Sequence, residues 1–303
     1  ELYVQGLRPE RWSHVFASVQ SLNSAGVRAI APDAFEVVVI DEFHHAAAPT
    51  YQAIMSHLQP RELLGLTATP ERTDGLDVRS YFGGRTAVEL RLWDALGADL
   101  LCPFHYFVVA DGTDLRAITW KRGRYDEAER ANLYTGNRAR AAVVLRQLRE
   151  KVLDPGSMRA LGFCVSVAHA EFMAHVFREA GIPSAAVSGS TSSAERAQRL
   201  RDLRDRRVNI LFAADLFNEG LDLPDVDTIL FLRPTESATV FLQQLGRGLR
   251  RTRDKAVLTV LDFVGYHRKE FRWDAKLRAL TGRSGRALVR ETEAGFPFLP
   301  SGC

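Results

Sequence analysis

The sequence predicts an α/β fold built on parallel sheets, and two observations support this prediction. First, Val37–Ile40 is a run of β-branched residues that is too short for a helix, which is typical of a strand buried on both faces of a parallel sheet. Second, strand and helix patterns alternate regularly between residues 160 and 262, as they do in sheets covered by helices on both faces. The 303 residues suffice for roughly two such units.

The first unit is predicted over residues 1–110. Residues 12–20 are predicted to form a short strand that leads into a turn. Apolar residues recur at helical spacing between Tyr51 and Leu58, which predicts a helix after the Val37–Ile40 strand. Residues 63–66 predict a second buried strand, and residues 104–110 predict the last strand of this unit.

The second unit is predicted over residues 139–266, after a connection over residues 111–138 that is rich in Gly, Asp and Arg. Its strands are predicted at 160–166, 184–188, 208–214, 226–232 and 256–262, and its helices at 168–180, 193–206 and 237–250. Ser192 and Glu195 have the spacing of a capping box at the start of the helix over 193–206. Residues 267–303 are arginine-rich and are predicted to begin a C-terminal extension.

The composition limits the class of protein without identifying a partner. The chain is 46% hydrophobic and 25% charged, which is ordinary for a globular protein, and its net charge of +3 permits nucleic-acid binding without requiring it. Cys102, Cys164 and Cys303 have no paired spacing, which argues against a disulfide framework or a zinc site and fits a reducing cytoplasm. No apolar stretch approaches the length of a membrane span, so we expect no membrane partner.

Two carboxylates, Asp41 and Glu42, directly follow the Val37–Ile40 strand. The carboxyl edge of a parallel sheet is where open α/β folds bind their ligands. One carboxylate can hold a hydrated magnesium ion while the other orients an attacking water, so the pair suits a magnesium-nucleotide site. The alternative interpretation is that both residues only cap the helix that follows.

Four segments in a fixed order resemble the motifs of superfamily 2 helicases and translocases of the DExH type. They are Asp41–His44, Thr67–Thr69, Asn218–Asp222 and Gln243–Arg250. The resemblance is to bacterial DEAD/DEAH-box helicases related to the DNA-repair and type III restriction translocases, and the loop Glu71–Gly75 also matches that subset. It implies two RecA-like parallel-sheet domains that hydrolyse ATP in the cleft between them. ATP and Mg²⁺ are the implied cofactors, and DNA is the implied partner, with RNA left open.

The resemblance assigns roles to the residues of the first two segments. Asp41 would hold Mg²⁺ through its water shell, and Glu42 would polarise the hydrolytic water. His44 would couple this site to the facing domain, although a histidine at a helix start can also be bonded only locally. Thr67 and Thr69 would link the state of the nucleotide to the nucleic-acid path; the alternative is an ordinary polar strand end.

The segment that contains Gln243, Arg247 and Arg250 resembles the arginine-finger motif of the second domain. Arg247 and Arg250 are spaced by three residues and are predicted to lie on one helix, so both can face the same phosphate. A guanidinium from this domain would stabilise charge on the transferred phosphoryl group. Gly246 and Gly248 would allow a close approach of the backbone. The alternative is a solvated arginine face.

The remaining assignments rest on the resemblance alone. Gly220 and Asp222 would lie near the nucleotide. Ser18, Ser166 and Ser188 would contact nucleic acid, through hydroxyl and backbone N–H groups that recognise the phosphate backbone rather than base sequence. The alternative for each serine is an ordinary turn or helix cap.

The phosphate-binding Gly-x-x-x-x-Gly-Lys-Ser/Thr loop is absent, because none of the five lysines follows a glycine. We therefore expect the first RecA-like domain to be incomplete, with its N-terminal half missing and the chain truncated at both ends. This chain alone is expected to have ATPase activity near zero, and the resemblance leaves open a nuclease domain or subunit in the full protein. Two alternatives remain open: a non-catalytic nucleic-acid-binding scaffold, and the motor subunit of an ATP-dependent restriction system.

Overall fold

The structure is a computed structural model that describes residues 1–4, 7–68, 77–214, 225–235, 237–271, 273–281, 285–294 and 303. The chain divides into two compact units, Glu1–Glu89 and Leu90–Cys303. Among the helices that the described residues form, none combines the length and the hydropathy that a bilayer crossing requires.

The first unit contains two small parallel sheets within its described residues. Its elements are β1 (Leu2–Tyr3), β2 (Phe16–Ala17), α1 (Val19–Ala25), β3 (Val37–Ile40), α2 (Pro49–His57) and β4 (Glu62–Gly65). Strand β1 pairs with β2, and β3 pairs with β4. Helix α2 begins with Pro49, where the missing N–H costs no hydrogen bond and the fixed φ angle suits a first turn.

Strand β3 is present as predicted, but the prediction that both of its faces are buried is wrong. Val37 and Val39 are 57% and 54% exposed, whereas Ile40 on the other face is buried. The predicted burial of the neighbouring strand is also wrong, because Leu64 of β4 is 42% exposed. The reason is that the buried cluster around Phe43 covers only the face of β3 that includes Ile40.

The second unit contains the larger sheet. Its elements are α3 (Leu92–Gly97), β5 (Phe104–Asp114), β6 (Trp120–Lys121), β7 (Arg124–Tyr125), α4 (Glu127–Tyr134), α5 (Arg138–Lys151), β8 (Ala160–Cys164), α6 (Val167–Glu179), β9 (Ser184–Val187), α7 (Ser193–Arg204), β10 (Ile210–Ala214), β11 (Thr228–Phe231), α8 (Ala238–Gly246), β12 (Leu258–Tyr266), α9 (Trp273–Thr281) and α10 (Gly285–Glu293). Six strands form one sheet in the order β5-β12-β11-β8-β10-β9, and every neighbouring pair is parallel.

Both faces of this sheet are covered. Side chains alternate along each strand, so Leu161 and Phe163 of β8 join one buried cluster while Ala160 and Cys164 join the other. Helix α8 contributes to the first cluster, and α5 and α6 contribute to the second. The packing is close: a Cβ atom on Gly162 would lie 2.5 Å from the neighbouring ring in β10.

The elements predicted between residues 160 and 262 are present, and the α/β prediction is confirmed. One of the two hydrogen bonds of the predicted capping box is observed: the N–H of Glu195 donates to Ser192 Oγ at 3.2 Å. The last predicted helix is shorter than expected: it ends at Gly246 rather than at residue 250.

The structure differs from the predicted organisation between residues 104 and 138. Strand β5 pairs with β12 at the edge of the six-stranded sheet, so it does not close the first unit. The predicted connection contains the β6–β7 hairpin and α4, and its Tyr125 and Tyr134 pack with Val165 and Phe271 in a third buried cluster. These partners lie far apart in the sequence, and for that reason the local pattern did not indicate an ordered segment.

Candidate functional site

The two carboxylates lie at a sharp turn at the end of β3. Glu42 has a left-handed backbone, with φ 50° and ψ 45°, a conformation that costs a non-glycine residue about 1–2 kcal/mol. The N–H of Glu42 donates to Asp41 Oδ1 at 2.8 Å, and Asp41 is exposed. The turn therefore places an accessible carboxylate and a partly exposed one next to each other at the carboxyl edge of the sheet.

At this edge one predicted site residue, His44, contacts two others, Glu42 and Thr67. His44 Nδ1 lies 3.3 Å from Glu42 Oε2 and 3.3 Å from Thr67 Oγ1. The His44 side chain is 12% exposed and that of Glu42 is 35% exposed, so the cluster is sheltered on one side and open on the other. A side chain on the turn after β3 is thereby linked to a side chain just after β4.

Backbone pairing and one buried ring hold this cluster in place. The N–H of Phe43 donates to Leu66 O at 2.8 Å, which fastens the turn after β3 to the end of β4. The Phe43 ring is buried with its centroid 5.0 Å from that of Phe82. A Cβ atom on Gly65 would lie 2.7 Å from this ring, so the β4 position requires glycine. His45, which has no predicted role, packs its ring 4.2 Å from that of His44.

Part of the predicted site lies outside the described residues. Thr69 and the loop Glu71–Gly75 belong to that part in the first unit. Gly220 and Asp222 belong to it in the second unit. Their assignments remain predictions.

The three predicted nucleic-acid serines all have local structural partners. Ser18 Oγ accepts from the N–H of Ser21 at 3.1 Å and caps α1. Ser166 Oγ accepts from the N–H of His169 at 3.1 Å and caps α6. Ser188 is buried after β9, and its Oγ lies 2.8 Å from that of Ser190. Each hydroxyl thus has a structural role, as the alternative interpretation expects, while Ser166 also lies at the carboxyl edge of the six-stranded sheet.

The predicted arginine pair does not lie on one helix. Helix α8 ends at Gly246, Arg247 is its C-terminal cap, and Arg250 forms an isolated antiparallel bridge with Leu101. The expectation that both arginines share a helix face is therefore wrong. Glycine disfavours helix, and Gly248 brings the backbone against the sheet: a Cβ atom there would lie 2.5 Å from Leu258. Gln243 lies within the last turns of α8 and is half-buried.

A buried ion pair that the sequence did not indicate supports helix α8. Lys276 Nζ of α9 lies 2.6 Å from Asp262 Oδ2 of β12, and both side chains are at most 3% exposed. The ammonium group also lies 4.8 Å from the centre of the Phe241 ring of α8. Tyr106 donates to the same carboxylate, and burial together with that carboxylate raises the pKa of Tyr106 well above its usual value. No local pattern signals a pair that is separated by fourteen residues.

The residues of the first unit fit a magnesium-nucleotide complex chemically. Carboxylate oxygens are the ligands that Mg²⁺ prefers, and an ion held by one or two carboxylates together with substrate phosphates keeps several waters. Asp41 offers such an exposed carboxylate. Within the described ranges no three or more His, Cys, Asp and Glu side chains form a group that could hold a metal ion by themselves.

Two family models match the chain. The model described as type III restriction enzyme, res subunit, matches residues 3–72, and the model described as helicase conserved C-terminal domain matches residues 144–252. A 51.5 kDa protein of a Lactococcus phage (isolate 7-9) is 29% identical over 234 residues, which cover 76% of this chain and 50% of the phage protein. IRC3 of Saccharomyces cerevisiae, whose name describes an ATP-dependent helicase, is 26% identical over 257 residues, which cover 83% of this chain and 37% of IRC3.

Solved structures show the same fold. The ATP-dependent type ISP restriction-modification enzyme LlaBIII bound to DNA matches with a TM-score of 0.62 at 18% identity, over 88% of this chain and 21% of that chain. The fold is the α/β parallel-sheet architecture of RecA-like helicase domains. By its two family matches and its curated relatives, the chain is similar to the superfamily 2 helicases and translocases and to the type III restriction enzymes. It spans half or less of the length of the two curated relatives.

Proposed function

We propose that this chain is the motor portion of an ATP-dependent helicase or translocase that acts on DNA. The observation that carries the proposal is the contact of His44 with both Glu42 and Thr67. A carboxylate able to orient an attacking water is thereby joined, through one imidazole ring, to a hydroxyl group beyond the neighbouring strand. A change at the hydrolytic site can pass along this contact to the segment that follows β4.

In this proposal each residue of the first unit has one task. Asp41 holds Mg²⁺ through its water shell, Glu42 orients the attacking water, and His44 senses the charge of Glu42 through their 3.3 Å contact. Thr67 and Thr69 lead to the nucleic-acid path. The nucleotide and its ion supply the phosphoryl group and the positive charge that neutralises it.

The second unit supplies cations and further contacts in the same proposal. Arg247 and Arg250 stabilise charge on the phosphoryl group from two different backbone segments, the end of α8 and the bridge to Leu101. Gln243 belongs to the same site. Gly220 and Asp222 contact the nucleotide, and Ser18, Ser166 and Ser188 lie along the DNA backbone.

The test is ATP hydrolysis measured with and without DNA. The assay uses this chain and any longer product of its reading frame, because no lysine of this chain follows a glycine and a phosphate-binding loop is needed for turnover. We expect turnover that DNA stimulates in a product that contains such a loop, and turnover near zero in the 303-residue chain. Absence of turnover in every product would favour a non-catalytic scaffold that binds nucleic acid.

Replacing the proposed general base sharpens this test. In the product that turns over ATP, Glu42→Gln keeps the size of the side chain and removes its charge, so we expect turnover to fall by about 10²–10⁴-fold while DNA binding is kept. Glu36→Gln is the matched control, because Glu36 is an exposed carboxylate at the other end of β3. An equal loss of turnover in both variants would exclude the assigned role of Glu42.

A second candidate is the motor subunit of a restriction system that works with a nuclease. It is favoured by the match of residues 3–72 to the type III restriction subunit and by the fold shared with LlaBIII. DNA cleavage that depends on ATP and appears only with a co-purified nuclease would support it. Strand separation without cleavage would favour a helicase. In either case we place the protein in the cytoplasm, where ATP and DNA are both available.

A further inference from the structure

The β6–β7 hairpin presents three cations at its tip. Lys121 pairs with Arg124 across the two short strands, and Arg122 and Gly123 form the two-residue loop between them. All four residues of this tip are exposed. Positive charge is thus concentrated within four consecutive residues of a segment that also contains a tight turn.

The loop has an unfavourable residue at its first position. Arg122 has φ 52° and Gly123 has φ 81°, so both central residues adopt the left-handed conformation of a type I′ turn. Asn, Asp and Gly are favoured at the first of these positions because other side chains strain the backbone there. An arginine at this position is not explained by the needs of the turn.

The tip cations have no carboxylate within ion-pair distance in the described part of the chain. Lys121 has only a longer-range electrostatic interaction with Glu129, and Arg122 and Arg124 form no ion pair there. Other exposed arginines do form ion pairs: Arg116 with Asp114, Arg138 with Glu179, and Arg207 with Asp202. Most of the charge of the tip is therefore available to an external anion.

The base of the hairpin is firmly held. Tyr125 is buried, and its ring packs edge-on against Trp120 with centroids 4.7 Å apart. The N–H of Arg268 donates to Tyr125 Oη at 3.1 Å, and Thr119 donates to Glu129 through both its N–H and its hydroxyl group. Binding at the tip thus costs little ordering of the backbone.

The hairpin stands at the edge of the sheet where nucleic acid is expected. Tyr125 belongs to the same buried cluster as Val165, the residue before Ser166. Ser166 follows β8 at the carboxyl edge of the six-stranded sheet and has a predicted contact with nucleic acid. The cationic tip is therefore anchored next to that predicted contact.

We propose that the hairpin tip Lys121–Arg124 is a second DNA contact, which binds backbone phosphates beside the predicted Ser166 contact. This inference rests on the proposed function, from which it takes the identity of the polyanion. Phosphate contacts need exposed Lys and Arg side chains on a fixed backbone, and the tip provides both. The tip exposes no large apolar residue, since Trp120 is half-buried and Tyr125 is buried, so it lacks what insertion into a lipid surface requires.

The test separates charge from backbone strain by the substitution Arg122→Asn. Asparagine suits the left-handed position, so the variant should unfold at the same or a higher temperature than the parent chain. Its affinity for a fluorescently labelled DNA duplex should nevertheless fall roughly five- to tenfold at about 0.1 M salt, and the slope of log K against log salt should decrease by about 0.9. A merely structural role predicts a gain in stability without a loss of affinity.

Arg206→Asn is the matched control. Arg206 is also an exposed arginine with a left-handed backbone, φ 58°, but it precedes β10 at the amino edge of the sheet. The substitution makes the same change in charge and in backbone strain, and DNA affinity should stay within twofold of the parent. The triple variant Lys121→Gln, Arg122→Asn, Arg124→Gln should lower the salt slope by about 2.7.

Each outcome decides the proposal. Equal DNA affinity of the parent and the triple variant would overturn it, as would failure of the parent to bind duplex at low salt or equal losses in Arg122→Asn and Arg206→Asn. Loss of binding to anionic phospholipid vesicles without loss of DNA binding would assign the tip to a membrane and also overturn it. The proposed function is judged separately by ATP turnover, which can be intact in a variant whose hairpin does not bind DNA.

Discussion

The six-stranded sheet and the sheet of β3 and β4 are built from similar apolar runs, yet they differ in burial. Every residue of β8 and β10 is buried, whereas β3 exposes Val37 and Val39. A central strand of the larger sheet has a neighbour on each edge and helices on each face, while β3 has, among the described residues, one paired strand and one covered face. Apolar composition therefore predicts that a segment is a strand, and the number of its neighbours determines how deeply it is buried.

The same contrast applies to the candidate site. In the first unit the side chain of His44 contacts those of Glu42 and Thr67, and the cluster is open to solvent on one side. In the second unit Ser166 and Ser188 are bonded within a cap and a turn. The first unit thus offers a preformed polar cluster on a small sheet, whereas these two serines of the second unit are already held by hydrogen bonds within its own backbone and loops.

The largest effect is expected from a substitution that creates a cavity in the larger sheet, which tests whether this sheet is more closely packed than the sheet of β3 and β4. Phe212 of β10 is fully buried, and the bare face of Gly162 on the neighbouring strand makes room for its ring. Phe212→Ala should lower the free energy of unfolding by about 3–5 kcal/mol. Urea denaturation followed by circular dichroism measures this. A loss below about 1 kcal/mol would mean that the larger sheet is no better packed than the smaller one.

A second test asks whether α9 belongs to the closed core of the second unit. Lys276→Met should cost about 3–5 kcal/mol, because it leaves the carboxylate of Asp262 buried without its cation. Adding Asp262→Asn should recover most of the loss, since asparagine can still accept the Tyr106 hydrogen bond. Unfolding free energies of the two single variants and the double variant provide the comparison. Additive losses would show that the two side chains do not interact.

Most strands and helices of the second unit were predicted because each has its own signal within a few consecutive residues. Each strand between residues 160 and 262 is a short apolar run, and each helix has its own start or stop residue, such as Ser192 or Gly181. The hairpin and α4 escaped prediction because their core joins Tyr125 and Tyr134 to Val165 and Phe271. Such contacts between distant residues leave no periodic pattern in the segment itself.

The candidate site shows the same division. Asp41, Glu42 and Thr67 were predictable because strand ends collect at one edge of a parallel sheet. The contacts of His44 with Glu42 and Thr67 were not, because they depend on the left-handed turn at Glu42 and on the register of β3 with β4. The end of α8 was predicted too late, at residue 250, because Gly248 packs against Leu258, which belongs to a strand that comes later in the chain.

Lowering the pH should lower the free energy of unfolding of the second unit, because His169 is buried there. Burial, and next the charge of Arg140, lowers the pKa of His169 to about 3 in the folded chain, against about 6.5 when unfolded. Above pH 6.5 His169 is neutral in both the folded and the unfolded chain, so it does not change the free energy of unfolding with pH. Between about pH 6.5 and pH 3 only the unfolded chain binds a proton at His169, so the free energy of unfolding falls by about 1.4 kcal/mol per pH unit as the pH is lowered.

The matched variant for this effect is His169→Asn, whose Oδ1 can accept the Val165 N–H bond that His169 Nδ1 now accepts. Unfolding free energies of the parent and the variant should differ by a constant amount above pH 7. At pH 5 the difference should have shifted by about 2 kcal/mol in favour of the variant. Parallel pH profiles down to pH 5 would contradict the buried neutral state of this histidine.

The smallest expected effect is the most direct measure of the difference between the two sheets. Val39→Thr and Val187→Thr replace one methyl group by a hydroxyl group on a strand, at residues that are 54% and 1% exposed. Val39→Thr should change the free energy of unfolding by less than about 0.5 kcal/mol, because its hydroxyl remains in water. Val187→Thr should cost about 1–3 kcal/mol, because its hydroxyl must be desolvated. Similar costs at both positions, measured by urea denaturation, would mean that the exposed face of β3 is covered in solution, and the contrast between the two sheets would then be lost.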